Sequence, residues 1–238
     1  MTLTHSQWMD LAAEEYRRIL TLIAELSDSQ WAAPTDCAGW AVRDIVAHLA
    51  GAAAATASLR EQLRQQRIGA REKGGRPQID AVNDLQVRER AGLGNRQLRQ
   101  QLEDLASRSV EARRRTPGLV RALRFRFPAP VGSATVGFLN DVVHTRDAWM
   151  HRIDICRAVE HPVELTDQHD GLIVLDAARA WLDATGAPGI TLTGPLGAVV
   201  GRPSQAPEGT VRVDAVEFAR ALSGRARVSG VASDVVLF

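Results

Sequence analysis

The chain has few of the residues on which several specialised classes of protein depend. Its 238 residues include only two cysteines, Cys37 and Cys156, which make neither a disulfide framework nor a CxxC metal site. The formal net charge is only +1, so nothing favours a nucleic acid or an anionic membrane as a partner. The most apolar window, residues 45–59, is alanine-rich and too weakly hydrophobic to span a bilayer.

The remaining composition is that of an ordinary globular protein. Hydrophobic residues make up 45% of the chain and charged residues 24%. The first residues lack a basic segment followed by an apolar one, so we expect no signal peptide. Two cysteines that make no disulfide framework are typical of a protein from a reducing compartment. We therefore expect a soluble, cytoplasmic protein with one large core or two modest ones.

The first two thirds of the chain have the hydrophobic periodicity of long helices. Apolar residues recur at helical spacing in four long segments, with a shorter helix over residues 79–90 and an irregular stretch over 116–133. The long segments are residues 4–26, 41–67, 95–115 and 136–159. Four long helices predict a four-helix bundle, in which metal sites are built from side chains that point inward from facing helices.

The pattern changes after residue 162. Residues 166–185 are predicted to be helical, and residues 190–193 and 210–213 alternate like half-buried strands. Asp214 is expected to cap a last helix. We therefore predict an α+β protein in which a four-helix bundle over residues 1–162 is followed by a small α/β domain over residues 163–238.

The fourth long segment carries a run of potential metal ligands. His144, Asp147, His151 and Asp154 are three, four and three residues apart and lie roughly on one helical face. Seven residues rise about 10.5 Å, which is too far for one ion, so only adjacent pairs can share it. The favoured pair is Asp147 with His151, one turn apart. His144 with Asp147, and His151 with Asp154, are the alternatives.

A third ligand is available on the second long segment, at His48. Two imidazoles and one carboxylate, with a coordination position left open, are typical of catalytic rather than structural zinc. In this scheme Asp154 accepts a hydrogen bond from the ring nitrogen of His151 that faces away from the metal. The competing interpretation is a bundle without metal, in which His48 is a hydrogen-bonded core residue and Asp147 pairs with an arginine.

Other polar residues have simpler interpretations. Cys37 has no histidine near it in sequence, so a packing role is favoured over a reactive thiol. Trp40 follows Gly39 and is expected to close the bundle end. Asn83 is expected to cap the short helix rather than to point into the bundle. Arg225 could reach an anionic substrate, but for a surface arginine after a helix end a structural role is favoured.

Three segments resemble one known family. Residues Cys37–Gly51, CAGWAVRDIVAHLAG, resemble the second-helix signature of the mycothiol-dependent maleylpyruvate isomerase family, a branch of the DinB-like metal-binding bundles. Residues Asp147–Asp154, DAWMHRID, resemble its E/D-x-x-x-H-R-x-D motif in the fourth helix. Residues Val213–Arg225 are similar to its small C-terminal α/β domain.

The resemblance implies one divalent metal, usually zinc, held by His48, Asp147 and His151, where the family commonly has glutamate or histidine at the position of Asp147. It also implies mycothiol, a low-molecular-weight thiol, as cosubstrate. A metal-activated thiolate can attack a small electrophile. We therefore expect an isomerase or S-transferase, monomeric or homodimeric, in which Arg225 anchors a substrate carboxylate. The alternative is a binding protein that keeps the bundle and the metal without catalysis.

Overall fold

The fold was analysed in a computed structural model, which describes residues 2–126, 132–202, 211–233 and 236. The α-helices within these ranges are α1 (His5–Ala24), α2 (Asp28–Trp31), α3 (Val42–Ala57), α4 (Leu59–Glu72), α5 (Gln78–Arg88), α6 (Asn95–Arg114), α7 (Gly118–Arg121), α8 (Val136–Phe138), α9 (His144–Ala158), α10 (Leu172–Thr185) and α11 (Ala215–Leu222). The strands are β1 (Arg124–Arg126), β2 (Ser133–Thr135), β3 (Gly189–Thr193), β4 (Ala198–Gly201) and β5 (Val211–Asp214). Helices with a small sheet confirm the predicted α+β class.

The chain forms two compact units. The helical unit comprises His5–Val120 and His151–Pro162. The mixed unit comprises Met1–Thr4, Arg121–Met150 and Val163–Phe238. The boundary between Met150 and His151 falls inside the continuous helix α9. The predicted domain division at residue 162 stays a prediction.

The helical unit is a bundle built around α3. This helix packs against α6 and α5, while α1 packs against α6 and α4 packs against α5. The buried apolar residues of α3 include Ile45, Val46, Leu49, Ala50 and Ala53, each at most 1% exposed. Helix α6 contributes its buried leucines, Leu98 and Leu102, which recur at the helical spacing noted in the sequence. The apolar faces of these helices therefore meet in one core.

Two glycines allow α5 to lie close to its neighbours. A Cβ atom added to Gly51 of α3 would lie 2.5 Å from the Cβ of Gln86. A Cβ atom added to Gly69 of α4 would lie 2.5 Å from Cγ2 of Val82. Carbon atoms cannot approach this closely without movement of the neighbour. Glycine at both positions thus sets the distance of α5 from α3 and α4.

The second predicted helix, residues 41–67, is interrupted, so its prediction as one helix is wrong. Helix α3 ends at Ala57, and Ser58 adopts an extended backbone with φ −147° and ψ 115°. The Ser58 hydroxyl then accepts a hydrogen bond from the backbone N–H of Glu61 and caps α4. A serine side chain competes with the helical hydrogen bonds of its own backbone and favours a cap.

The fourth predicted helix, residues 136–159, is also divided. A π-helical segment, Leu139–Val143, separates α8 from α9. The wider turn inserts an extra residue into the helical repeat, and π-helical turns are frequent at functional sites. Hydrophobic periodicity over this length does not reveal one extra residue.

The mixed unit contains a three-stranded sheet in the order β4-β3-β5. Strand β3 pairs antiparallel with β4 and parallel with β5. Helices α10 and α11 pack on the sheet, and the rings of Trp181 and Phe218 meet edge to face with centroids 5.8 Å apart. Asp214 caps α11 as predicted, because its Oδ1 accepts from the N–H groups of Val216 and Glu217 at 2.9 and 3.2 Å.

Several other elements differ from the sequence predictions. Strands at residues 190–193 and 210–213 are confirmed as β3 and β5, although Thr210 lies outside the described residues. Strand β4 was not predicted. Residues 116–133 were expected to be irregular, but they include α7, β1 and the start of β2, and residues 127–131 lie outside the described part. None of the described helices has the length and apolar character required to cross a membrane.

Candidate metal centre

His48 and His151 meet inside the helical unit. His48 lies on α3 and His151 lies on α9. Only 5% of the surface of His48 and 4% of the surface of His151 are exposed to solvent. The ring centroids are 5.0 Å apart and the rings are inclined at 70°. A ring nitrogen of each lies within 4.8 Å of one on the other. Two imidazoles at this separation can bind the same metal ion.

Asp147 precedes His151 by one turn of the same helix. A carboxylate oxygen of Asp147 lies within 4.8 Å of a ring nitrogen of His151. Asp147 is half-buried, unlike the two histidines. The i,i+4 spacing therefore brings an acid and an imidazole together, as expected for neighbours on one helical face. His144 is in neither of the ligand groups found among the described residues.

The Nδ1 atom of His48 is engaged by the side chain of Gln86 on α5. Gln86 Oε1 lies 2.8 Å from His48 Nδ1, and Gln86 Nε2 donates to Gln65 Oε1 at 2.8 Å. Gln65 Nε2 in turn donates to the backbone carbonyl of Gly51 at 3.0 Å. Neither glutamine is recognisable from the sequence, because neither the spacing nor the composition of α4 and α5 indicates that Gln65 and Gln86 lie on the side of His48.

The Nδ1 atom of His151 is engaged by Asp154. The Oδ2 atom of Asp154 lies 3.1 Å from His151 Nδ1, and Asp154 is fully buried. A carboxylate in this position holds the ring orientation of a metal-binding histidine and directs its other nitrogen towards the ion. The same oxygen of Asp154 accepts a hydrogen bond from the thiol of Cys37 at 3.3 Å.

Cys37 lies beside His151 in the fold, although no histidine is near it in sequence. Its interpretation as a packing residue stays a prediction. Its Sγ is 3.9 Å from His151 Nδ1, and Cys37, His151 and Asp154 form a second group of potential ligands within 4.8 Å. The two residues are 114 positions apart in sequence, and for this reason sequence spacing could not connect them.

Trp40 covers both imidazole rings. Its ring centroid lies 5.2 Å from that of His48 and 6.1 Å from that of His151. A tight turn holds it there, with the Trp40 N–H donating to the Cys37 carbonyl at 2.9 Å and Gly39 at φ +80°. This positive φ is the conformation that favours glycine. Trp40 itself is half-buried.

Asn83 and Arg225 are two further residues for which the sequence predicts a role. Asn83 lies within α5, whose N-cap is Pro77, so the prediction that Asn83 caps this helix is wrong. Arg225 follows α11 in the mixed unit, where its Nη1 reaches the Ser223 carbonyl at 3.5 Å. A role for Arg225 in substrate binding stays a prediction.

Both the sequence and the fold of the chain are similar to those of one known family. The family model described as "Mycothiol maleylpyruvate isomerase N-terminal domain" matches residues 12–156. The chain is similar to the crystal structure of the mycothiol-dependent maleylpyruvate isomerase, with a TM-score of 0.62 and 18% identity over 95% of this chain and 93% of that one. A histidine-to-alanine mutant of that enzyme gives a TM-score of 0.61 and 17% identity, with the same coverage. At this identity the likeness shows the fold. No curated protein matches significantly.

Proposed function

Because the chain belongs to the mycothiol maleylpyruvate isomerase family, we propose that it is a metal-dependent enzyme that uses a low-molecular-weight thiol, such as mycothiol, to isomerise or conjugate a small electrophile. The observation that carries this proposal is the pairing of His48 with His151, whose Nδ1 atoms are both engaged by buried side chains. Asp147, one turn from His151, completes the proposed ligand set.

The chemistry of the donor set fits a divalent metal. Imidazole nitrogen and carboxylate oxygen are ligands of zinc, and three protein ligands leave a position for substrate. Gln86 and Asp154 each contact one histidine at Nδ1, and the proposed ligand atom of each ring is Nε2. We therefore propose Zn²⁺ bound by His48, Asp147 and His151, with Asp154 as the hydrogen-bonding partner of His151.

When bound, a divalent metal with an open position lowers the pKa of a coordinating thiol, whose thiolate can add to an activated alkene and leave again after rotation about the former double bond. The chain's own contribution is orientation and partial exclusion of water. Gln86 and Asp154 hold the imidazoles in position, while Trp40 supplies an apolar wall over both rings. In the proposed scheme Arg225 binds a substrate carboxylate.

The proposed partners are accordingly a small thiol and a small electrophile. Cys37 and Cys156 are not joined in a disulfide bond. We include a reducing, cytoplasmic location in the proposal. We expect no nucleic-acid or membrane partner, since the net charge is +1.

The test is thiol-dependent turnover by the zinc-loaded chain. Mycothiol and maleylpyruvate are supplied first, followed by a panel of activated alkenes, epoxides and halides. We expect turnover that requires the thiol and is lost in His48→Ala, whereas the exposed His161→Ala variant retains it. Tight thiol binding without turnover on any substrate would instead identify a non-catalytic binding protein.

A further inference from the structure

We propose that a buried amide relay, in which Gln65 and Gln86 connect the Gly51 carbonyl to His48, keeps the imidazole proton on Nδ1 and presents Nε2 for metal binding. The inference rests on the proposed function, because it assigns a purpose to His48 as a metal ligand. It identifies Gln65 and Gln86 as positioning residues, although neither is among the proposed ligands.

The direction of the hydrogen bonds in the relay follows from the group at its end, the Gly51 carbonyl. A backbone carbonyl accepts hydrogen bonds and cannot donate them. The group of Gln65 that faces the Gly51 carbonyl at 3.0 Å is therefore its NH₂. Gln65 must then present its oxygen to Gln86, at 2.8 Å.

The orientation of the Gln86 amide determines which group faces His48. The NH₂ group of Gln86 donates to the Gln65 oxygen, so the Gln86 oxygen is the group that faces His48. An amide oxygen 2.8 Å from His48 Nδ1 can only accept. The proton must consequently lie on Nδ1, and the lone pair of the neutral ring lies on Nε2.

Glu61 favours the same orientation of the Gln65 amide, at the end of the relay away from His48. Gln65 Nε2 also donates to Glu61 Oε1 at 3.0 Å. A hydrogen bond from Arg64 holds the pKa of the Glu61 carboxyl below its usual value. Glu61 therefore stays ionised at neutral pH and acts only as an acceptor. The Gln65 NH₂ group thus faces two acceptors, and rotation of the amide would turn its oxygen towards both.

The surroundings hold the relay in place. Gln65 is fully buried and Gln86 is 4% exposed, so water has little access to replace a broken link. Gly51 provides both the carbonyl that ends the relay and the space for Gln86, because a Cβ atom there would lie 2.5 Å from Cβ and Cγ of Gln86. The relay and the close packing of α5 on α3 therefore depend on the same glycine.

The experiment measures Zn²⁺ affinity of the full chain by chelator competition, with the His48 Nδ1–H proton followed by NMR of the zinc-loaded protein. Gln86→Met removes the acceptor, and we expect affinity to fall about 10- to 100-fold. Gln65→Met leaves Gln86 in contact with His48 but free to rotate, and we expect a smaller loss of about two- to tenfold. In both variants the Nδ1–H proton should exchange faster with solvent.

The matched control is Gln66→Met, which makes the same chemical change at an exposed position of α4, the helix that carries Gln65. Affinity and the NMR signal should match the unaltered chain. If Gln86→Met and Gln65→Met bind zinc as tightly as the control and keep a protected Nδ1–H proton, the relay is refuted while the metal site stands. If the unaltered chain binds no zinc, or His48→Ala binds it equally well, the proposed function fails as well.

Discussion

Arg152 and Glu15 form an ion pair that is buried on both sides, with Arg152 Nε 2.7 Å from Glu15 Oε1. Arg152 lies on α9 immediately after His151, and Glu15 lies on α1. The pair therefore holds the rotational setting of the part of α9 that carries His151. In sequence this arginine belongs to the motif around His151, yet its role is structural: it docks one helix against another.

Breaking this pair from either side should strongly destabilise the protein. Glu15→Gln or Arg152→Met removes one charge of this buried pair, and we expect a loss of about 3–5 kcal/mol in the free energy of unfolding. The measurement is urea unfolding of the full chain. The double variant Glu15→Leu with Arg152→Met removes both charges and should cost less than either single change.

The control for this prediction is Arg17→Met. Arg17 and Glu14 pair on the exposed surface of α1, where the Arg17 side chain is 64% exposed. We expect a change below about 1 kcal/mol. Equal losses for the buried and the exposed pair would contradict the structural role of Arg152.

Replacement of Asp154 should weaken the binding of the metal without abolishing it. Asp154→Ala takes away the oxygen that lies 3.1 Å from His151 Nδ1, while the proposed ligands remain. Outer partners of this kind typically contribute 10- to 100-fold in metal affinity, so we expect Zn²⁺ affinity to fall by about that factor. Chelator competition measures the change, with Asp36→Ala, an exposed carboxylate, as the control. An unchanged affinity in Asp154→Ala would show that Asp154 does not act through His151.

Glu14 should contribute to the loss of stability, measured as the free energy of unfolding, at acid pH. A hydrogen bond from Arg17, with a second from Arg18, lowers the pKa of Glu14 from 4.5 to about 2. Because the pKa is lower in the folded state, the contribution is present above pH 4.5 and is lost as the pH falls towards 2. Glu14→Gln should therefore lose stability less steeply in that window.

The expected difference for Glu14→Gln is below about 1 kcal/mol at pH 7, since Glu14 and Arg17 lie at the surface and solvent screens them. Urea unfolding at a series of pH values between 7 and about 2 gives the two curves. Curves that stay parallel through the acid range would contradict the assignment.

The sequence was most informative where a pattern repeats within one element. Hydrophobic periodicity predicted a helix over residues 4–26 and another over residues 95–115, close to the observed α1 and α6. The i,i+4 spacing of Asp147 and His151 likewise predicted that their side chains would meet, because the geometry of one helix determines it.

Contacts between elements were much harder to predict. Cys37 meets Asp154 across 117 positions, and Gln86 meets His48 across 38. Such contacts depend on how closely the helices approach, which here depends on glycines such as Gly51. The break at Ser58 was missed for another reason: a single side-chain cap outweighed a continuous apolar pattern.

Whether His48 and His151 hold a metal ion is decided by the metal content of the native chain, determined by elemental analysis and followed in the His48→Ala and His151→Ala variants. We expect about one equivalent of a divalent metal per chain, lost in both variants and retained in His161→Ala. A native chain that contains no metal and binds no added Zn²⁺, or a metal that persists after both histidines are replaced, would exclude this metal site.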